Sequence, residues 1–468
     1  MTVTAAKPSS AVIVGLGRTG LSCARYLHSH GWRLAVTDTR QRPPELARLT
    51  ELDPRIPVSV GGLDTRLLDD AVCVVASPGV SLAEPFFVEA RRRGLEIVGD
   101  IELFARAVNA PVVGITGTNG KSTVTTLLGR MAERAGLRVR VGGNLGEPAL
   151  DLLGTGQEPH PTQLYVLELS SFQLEATTSL DLKAAVVLNV SPDHLDRYAS
   201  VEAYSEAKAR IFARCDTAVI NLDDPLVVAM PRPGQRTLSF SLRASIGADY
   251  ACRTVTQHAG KGRDFSPFGA TRDSQWWLTR TDEPLMPLSA MKIQGLHNAA
   301  NALAALALGG ALGLAMPAML AELASFPGLP HRSQWVADIH GVTYINDSKG
   351  TNVGATIAAV SGMQGPLVMI AGGDGKNQDF ALLADAFRGK VHHTVLLGRD
   401  AAAIASALQG VCTLELSASL EEAVRAAARA AQPGDTVLLS PACASLDMFR
   451  DYTHRGAVFT QAVKELAA

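Results

Sequence analysis

Short apolar runs recur along the chain, and most of them end in glycine or polar residues that hand over to a helical period. The first, Ala11–Val14, meets Gly15-Leu16-Gly17-Arg18-Thr19-Gly20 and then a helical stretch, "LSCARYLHSHG", stopped at Gly31. "RLAVTD" predicts the next strand, and "VCVVASPG" (72–79) a later parallel strand ending in a loop. After "EIVGDIELFAR" (96–106) the pattern restarts. "PVVGIT" predicts a strand, and "STVTTLLGRMAERAG" a helix stopped by Gly136, with a glycine loop between them. "LYVLELSS" (164–171) and "AAVVLNVSPDHLDRY" (184–198) predict two more buried strands. Ser200 is the predicted N-cap of a helix over 200–215, where Tyr204, Ala207 and Ile211 share one face.

Residues 231–286 are polar and rich in proline and glycine, and they predict peripheral strands or a loop, with "QWWLTR" among the strand-like pieces. A third block begins after "PGLPHR" (327–332), with strands in "VTYINDSKGTN", "LVMIAGGDGKNQDF" and "DTVLLSPACASLDMF". The three blocks predict an α/β protein of three domains: an N-terminal Rossmann-like domain (1–99), a central P-loop ATPase-type domain (100–328) and a C-terminal Rossmann-like domain (329–468).

Composition narrows this little. Among 468 residues, 43 Lys and Arg stand against 45 Asp and Glu, a net charge of −2 that gives no global field for nucleic acid or a membrane surface. Cysteines 23, 73, 215, 252, 412 and 443 lack C-x-x-C spacing and read as reduced thiols rather than disulfides or a zinc site. Residues 302–321 carry no charge over the length of a membrane span, but they are mostly alanine and glycine. The break at "GLAMP" predicts two buried helices instead, the second starting at Pro317. The opening "MTVTAAKPSS" has neither a basic nor an apolar signal region, so a cytoplasmic protein is expected.

Candidate chemistry gathers at the strand ends. "GLGRTG" followed by a helix and Asp38 has the form of a dinucleotide-binding turn with its ribose-binding acid, and also of a tight turn without a ligand. "GITGTNGKST" (114–123) has Lys121-Ser122 at a helix start, yet a strict phosphate loop requires glycine where Ile115 stands. Backbone N–H groups from Thr118 to Lys121 can face phosphates, Lys121 supplies charge, and the Ser122 hydroxyl can hold Mg²⁺. Glu168 within an apolar run needs a cation, for which a magnesium ion at the strand end would serve. From pattern alone His194 reads as structural and Lys208 as a solvated helix lysine.

Taken together, "GLGRTG", "TDTR", "ASPG", "GITGTNGKST", "GGNLG", "LELSSFQLE", "SPDHLDRY", "AKARIF", "LPHR", "NDSKGTN", "GGDGK" and "LSPACASLD" resemble the Mur ligases, which add amino acids to the bacterial cell-wall precursor. In that family the loop reads G-T-N-G-K-[ST], as Gly117–Ser122 does here, so the glycine offset is a family form. The resemblance covers nearly the whole chain and is strongest to the step that joins D-glutamate to UDP-N-acetylmuramoyl-L-alanine with ATP through an acyl phosphate.

The resemblance implies a role for each matching position. Arg18, Thr19, Asp38, Thr39, Arg40 and Gly79 would hold the UDP end of the substrate, with Asn144, Ser170 and His194 further along it. Gly117, Thr118, Asn119, Gly120, Lys121, Ser122 and Thr123 would bind ATP, together with Asn298, Asn301, Arg332 and Asp347. Ser122, Glu168, His194 and Lys208, the last carbamylated by CO₂, would hold two magnesium ions, and His194 is a candidate for proton transfer. Lys349, Thr351, Lys376, Ser445 and Phe449 would receive glutamate. Two lysines there suit a dicarboxylic amino acid on physical grounds, whereas D over L rests on resemblance. Lys121, His194, Lys208 and Lys349 are the expected catalytic residues in a monomer that binds no nucleic acid and inserts in no membrane. Ser333 departs from the family, where a bulky residue commonly follows "PHR", and 231–286 looks expanded. The competing readings are an NAD-dependent oxidoreductase built on "GLGRTG" and Asp38, another family ligase such as a folate or polyglutamate ligase, and a non-catalytic ATP-binding module.

Overall fold

The computed structural model describes residues 9–154, 160–195, 197–243, 247–258, 261–266, 275–281, 283–293, 295–363 and 365–466. The first eight residues, part of the segment read as lacking a secretion signal, and several positions within 231–286 lie outside the described residues.

The first block folds as strands β1 (Ser10–Val14), β2 (Arg33–Asp38), β3 (Val58–Val60), β4 (Cys73–Ala76) and β5 (Glu96–Gly99). They form one parallel sheet of order β3-β2-β1-β4-β5. The order in which successive strands are added reverses beside β1, whose neighbours are β2 and β4, and a crevice opens outside the carboxyl ends of strands at such a point. Val12, Ile13 and Val14 are at most 1% exposed, as expected of a parallel strand covered on both faces.

The second block supplies β6 (Val112–Thr116), β7 (Val139–Gly143), β8 (Leu164–Glu168), β9 (Leu182–Val187), β10 (Cys215–Asn221) and β11 (Arg236–Ser241), parallel in the order β11-β10-β9-β6-β8-β7. β6 therefore lies between β9 and β8, and its loop leads into the helix Lys121–Arg134 in the middle of the sheet edge. The polar stretch that follows forms β12 (Tyr250–His258), β13 (Lys261–Ser266), β14 (Gln275–Arg280) and β15 (Glu283–Pro287), paired antiparallel. It is thus built of strands in its described part, "QWWLTR" among them.

The uncharged run at 302–321 falls in two helices, Leu296–Ala311 and Met316–Ser325, the second beginning one residue before the proline that predicted it. Ala302–Leu308 are fully buried, and a side chain at Gly309 would strike Met319 Sδ at 2.2 Å. Among the described residues no helix is long and apolar enough to cross a membrane. All six cysteines are free thiols, and five are buried.

The last block forms β16 (Gln334–Ile339), β17 (Val342–Asn346), β18 (Leu367–Gly372), β19 (Val391–Leu397), β20 (Thr413–Leu416) and β21 (Thr436–Leu439), in the order β16-β17-β21-β18-β19-β20. Only β16 runs antiparallel to its neighbour. β17, β21 and β18 are adjacent, so the three polar strand tips singled out in the sequence meet at one edge. By packing, the chain divides into two compact units. One is Met1–Val190, His194–Phe240 and Ala304–Met319; the other is Ser191–Asp193, Ser241–Leu303 and Leu320–Ala468.

Candidate active site

The loop after β6 explains its own glycine offset. Ile115 lies inside the strand, fully buried and paired with Glu168 of β8, so that position must be apolar. A side chain at Gly114 would press on Leu182 at 2.9 Å and Ile211 at 3.1 Å. Gly117 (φ +148°) and Gly120 (φ +87°) take backbone angles that favour glycine, and Gly120 delivers the chain to the N-terminus of the helix Lys121–Arg134.

One expectation about this loop is corrected. The N–H groups of Thr118 and Asn119 donate to Asn189, to its carbonyl at 2.9 Å and its Oδ1 at 2.9 Å, so they brace the loop rather than face phosphates. Asn189, which returns a hydrogen bond to Asn119 O at 3.1 Å, was not singled out in the sequence. The first-turn N–H groups of the helix have no intrahelical acceptor and keep the anion-binding character.

Two ammonium groups converge on one carbonyl. Lys121 Nζ donates to Gly117 O at 2.8 Å and Thr118 O at 2.9 Å, and Lys208 Nζ donates to the same Gly117 O at 3.0 Å. Lys208 is only 1% exposed and lies over the Tyr204 ring at 4.2 Å, which overturns the solvated-helix reading. A buried ammonium group is costly unless it is paired and hydrogen-bonded.

Glu168, 3% exposed at the end of β8, accepts hydrogen bonds from Ser122 Oγ at 2.6 Å and Asn144 Nδ2 at 2.7 Å. A carboxylate joined to a helix-start hydroxyl is an oxygen donor set that suits a hard cation. Among the described residues no three His, Cys, Asp or Glu side chains gather as a ready metal cage. His194 (φ +54°) lies edge-on to Phe172 at 4.9 Å and Tyr204 at 6.1 Å, in a group that includes Tyr198.

Beside the first sheet, a cleft of about 490 Å³ is lined by Arg18, Thr19, Asp38, Thr39, Arg40, Gly79 and Asn144, all expected to hold the UDP end. Ser170 and His194 do not line it, while Ser77 and Gln173, not singled out, do. Ser170 caps the helix Ser171–Glu175 in a capping box with Gln173. Ser77 Oγ donates to Gly15 O at 2.7 Å, and a side chain at Gly20 would fall 2.0 Å from that carbonyl. Asp38 is committed to protein: Oδ2 accepts from Leu16 N at 2.7 Å and Arg40 Nη2 at 2.6 Å, and Oδ1 from Arg40 N and Nε. Burial raises its pKa, but the Arg40 side chain, then the two N–H groups and the Arg40 charge, outweigh this and bring it to about 2. Asp38 therefore anchors the glycine turn and Arg40 instead of presenting the ribose-binding acid of the oxidoreductase reading.

At the tips of β17, β21 and β18, Asp347 accepts from Ser333 N at 3.0 Å and Ser440 Oγ at 2.8 Å, and burial pushes its carboxyl up to about 6. Ser333, the family departure, also bonds His297 Nε2 at 3.2 Å, and burial holds that imidazole down at about 4. Asn301 Nδ2 donates to Asn298 Oδ1 at 3.2 Å, both side chains being buried, and Arg332 lies in the turn before Ser333, half-buried. Lys349 Nζ lies over the Tyr452 ring at 4.1 Å. Thr351 N donates to Lys349 O at 2.7 Å, Lys376 is exposed with φ +50°, Ser445 is buried, and Phe449 packs edge-on to His454 at 5.7 Å.

Tyr452 and Arg455 were missed. Arg455, 2% exposed, donates to Ser348 Oγ and O, Cys443 O, and more distantly to Gly372 O and Ala444 O. It thereby ties the three strand-tip loops together, and burial lowers its pKa to about 10. Its signal in the sequence is an arginine on the apolar face that Phe459, Ala462 and Val463 form along the last helix.

Comparison with known proteins agrees with this architecture. The profile of the Mur ligase MurD-like N-terminal domain matches residues 9–99, that of the Mur ligase middle domain 115–309, and that of the Mur ligase glutamate ligase domain 331–443. The chain belongs to the Mur ligase family. It is 49% identical over 460 residues to a protein of Nitrosococcus oceani named UDP-N-acetylmuramoylalanine–D-glutamate ligase, covering 98% of this chain and 97% of that one. A protein of the same name in Thiobacillus denitrificans is 50% identical over 478 residues, covering 98% and 96%. In fold the chain is similar to the UDP-N-acetylmuramate-alanine ligase of Thermotoga maritima (TM-score 0.59, 18% identity, covering 98% and 99%).

Proposed function

We propose that this protein joins D-glutamate to UDP-N-acetylmuramoyl-L-alanine at the expense of ATP, forming ADP and phosphate, in cytoplasmic synthesis of the peptidoglycan precursor. The observation that carries the reading is the pairing of the phosphate loop and its Ser122–Glu168 contact with the cleft lined by Arg18, Thr19 and Arg40 in one compact unit. Near half-identity over nearly the whole length of ligases with that name supports the acceptor and the amino acid. The working boundaries are 1–99 for UDP-substrate binding, 100–328 for ATP binding and 329–468 for the amino acid.

In this reading the L-alanine carboxylate attacks the γ-phosphate of ATP, and the glutamate amine then attacks the acyl phosphate and expels phosphate. Lys121, withdrawn from the loop carbonyls it now holds, meets the transferring phosphoryl group, and the helix N-terminus receives the neighbouring phosphates. Ser122 and Glu168 would hold Mg²⁺, with His194 and a carbamylated Lys208 toward a second site; the metal supplies charge neutralisation on phosphate oxygens. Carbamylation converts the buried Lys208 ammonium into a carboxylate and removes one of two cations crowded on Gly117 O. Asn298, Asn301, Arg332 and Asp347 bind the rest of the nucleotide. Lys349, Thr351, Lys376, Ser445 and Phe449 receive the two carboxylates of glutamate, leaving its amine free. Phosphate release with UDP-N-acetylmuramoyl-L-alanine and ATP, compared across D-glutamate, L-glutamate, D-aspartate and L-lysine, tests the proposal. D-glutamate is expected to dominate, and preference for L-glutamate or L-lysine would overturn it.

A further inference from the structure

Arg197 has no role in the reaction described above, yet its side chain, 13% exposed, has four partners. Nη1 donates to Pro78 O at 2.8 Å, and Nη2 to Val80 O at 3.3 Å and Glu175 Oε2 at 3.1 Å. The guanidinium carbon lies 4.1 Å from the centre of the Phe172 ring. Pro78 and Val80 flank Gly79 in the wall of the 490 Å³ cleft. The backbone N–H of Arg197 donates to His194 O at 2.9 Å, so the same residue closes the turn that carries His194.

Contacts continue from there without a gap. Phe172 meets His194 edge-on at 4.9 Å and stacks on Tyr198 at 5.8 Å, with 15° between the ring planes. Tyr198 meets Tyr204 at 5.2 Å, and Tyr204 lies under the Lys208 ammonium bonded to Gly117 O. A planar fork that binds two carbonyls and a carboxylate while lying on an aromatic face is specific to arginine; a lysine ammonium has neither the reach in two directions nor the stacking surface.

We infer that Arg197 is a positioning residue, which sets the Pro78–Val80 wall of the nucleotide-sugar cleft in register with the His194 turn and, through the aromatic group, with the phosphate loop. A nucleoside-diphosphate-linked sugar held in the cleft then presents its far, acyl end where phosphoryl transfer occurs. This rests on the cleft being the UDP-substrate site. Loss of the fork leaves the charged binding residues in place but misplaces the substrate, and small misplacements cost rate steeply.

The test compares wild type, Arg197→Lys and Arg197→Ala by circular dichroism and melting temperature, then varies each substrate in turn. Binding of UDP-N-acetylmuramoyl-L-alanine to wild type is measured first by calorimetry; its absence defeats the cleft reading and the inference with it. With binding present, Arg197→Ala is expected to raise KM for the UDP substrate about tenfold and lower kcat about tenfold, leaving KM for D-glutamate within about twofold. Arg197→Lys is expected to recover less than half of the loss. Unchanged constants in folded Arg197→Ala, or a fall in kcat with every KM unchanged, overturn the inference. Full rescue by lysine also overturns it, because charge alone would then suffice. If the alanine variant does not fold, the lysine variant decides: a KM for the UDP substrate raised at least about threefold supports the inference, and a wild-type value defeats it.

Discussion

Two glycine loops in this molecule solve the same backbone problem and part in everything that surrounds them. Each follows an interior strand with parallel neighbours on both sides, β1 or β6, and each opens a helix, at Arg18 or at Lys121. Around the first loop the charges are settled within the protein, since Asp38 binds Leu16 N and the Arg40 fork, leaving a cleft with Arg18 and Thr19 at its side. Around the second, two lysines crowd the Gly117 carbonyl and a carboxylate meets the Ser122 hydroxyl, an arrangement that phosphates and a hard cation would rearrange. A glycine turn provides close approach. The partners reached across the sheet decide whether the turn holds a ligand or drives a reaction on one.

The contrast breaks most sharply at the second loop. Lys121→Ala is expected to lower ADP formation by about 10³-fold or more with the melting temperature nearly unchanged, because the lysine acts on phosphate and not in a core. A normal rate with both acceptors present would remove the loop from the reaction. Lys208→Ala is expected to lose activity on a similar scale, and short-chain carboxylic acids should restore part of it if the working group is a carbamate; a near-normal rate would rule the carbamate out. Glu168→Gln keeps an oxygen for Ser122 and loses the charge. A loss of about 10²-fold, eased by raising Mg²⁺, is expected in a magnesium titration.

At the first loop the same kind of change should be milder. Asp38→Asn frees the Arg40 fork and is expected to raise KM for the UDP substrate about tenfold while kcat stays within about twofold. A larger fall in kcat than rise in KM would make the two loops alike. The smallest effect concerns Asp100, at the start of the helix after β5, bonded through Oδ2 to Gln173 Nε2. Burial raises its carboxyl from 3.8 to about 6, against the opposing hydrogen bonds of Gln173 and the nearby backbone. The folded state thus binds the proton more tightly than the unfolded state. Its contribution to stability is complete below pH 3.8 and is lost as pH rises through about 6, a sign that Asp347 shares. Asp100→Asn should gain melting temperature relative to wild type between pH 4 and pH 7; a constant difference would show that Asp100 does not titrate there.

Local pattern determined much of this protein. The strand before each glycine loop, the helix after it, the stop at Gly136 and the break within 302–321 follow from period, capping and backbone constraints acting over a few residues. The three polar tips of β17, β18 and β21 were legible for the same reason, since a strand end is a local event. Tertiary structure decided what those residues meet. Lys208 reads as solvated on its own helix and is buried because Gly117, 91 positions away, offers it a carbonyl. Asp38 reads as a ribose-binding acid until Leu16 and Arg40 occupy both its oxygens. The Thr118 and Asn119 donors look available until Asn189 crosses from the next strand's end. Tyr452 and Arg455 gain their partners at Lys349, Ser348 and Cys443 only when three strands come side by side. Period and propensity describe a segment against solvent, whereas burial and charge pairing are properties of the neighbours that the sheet order brings, and no window of sequence contains them.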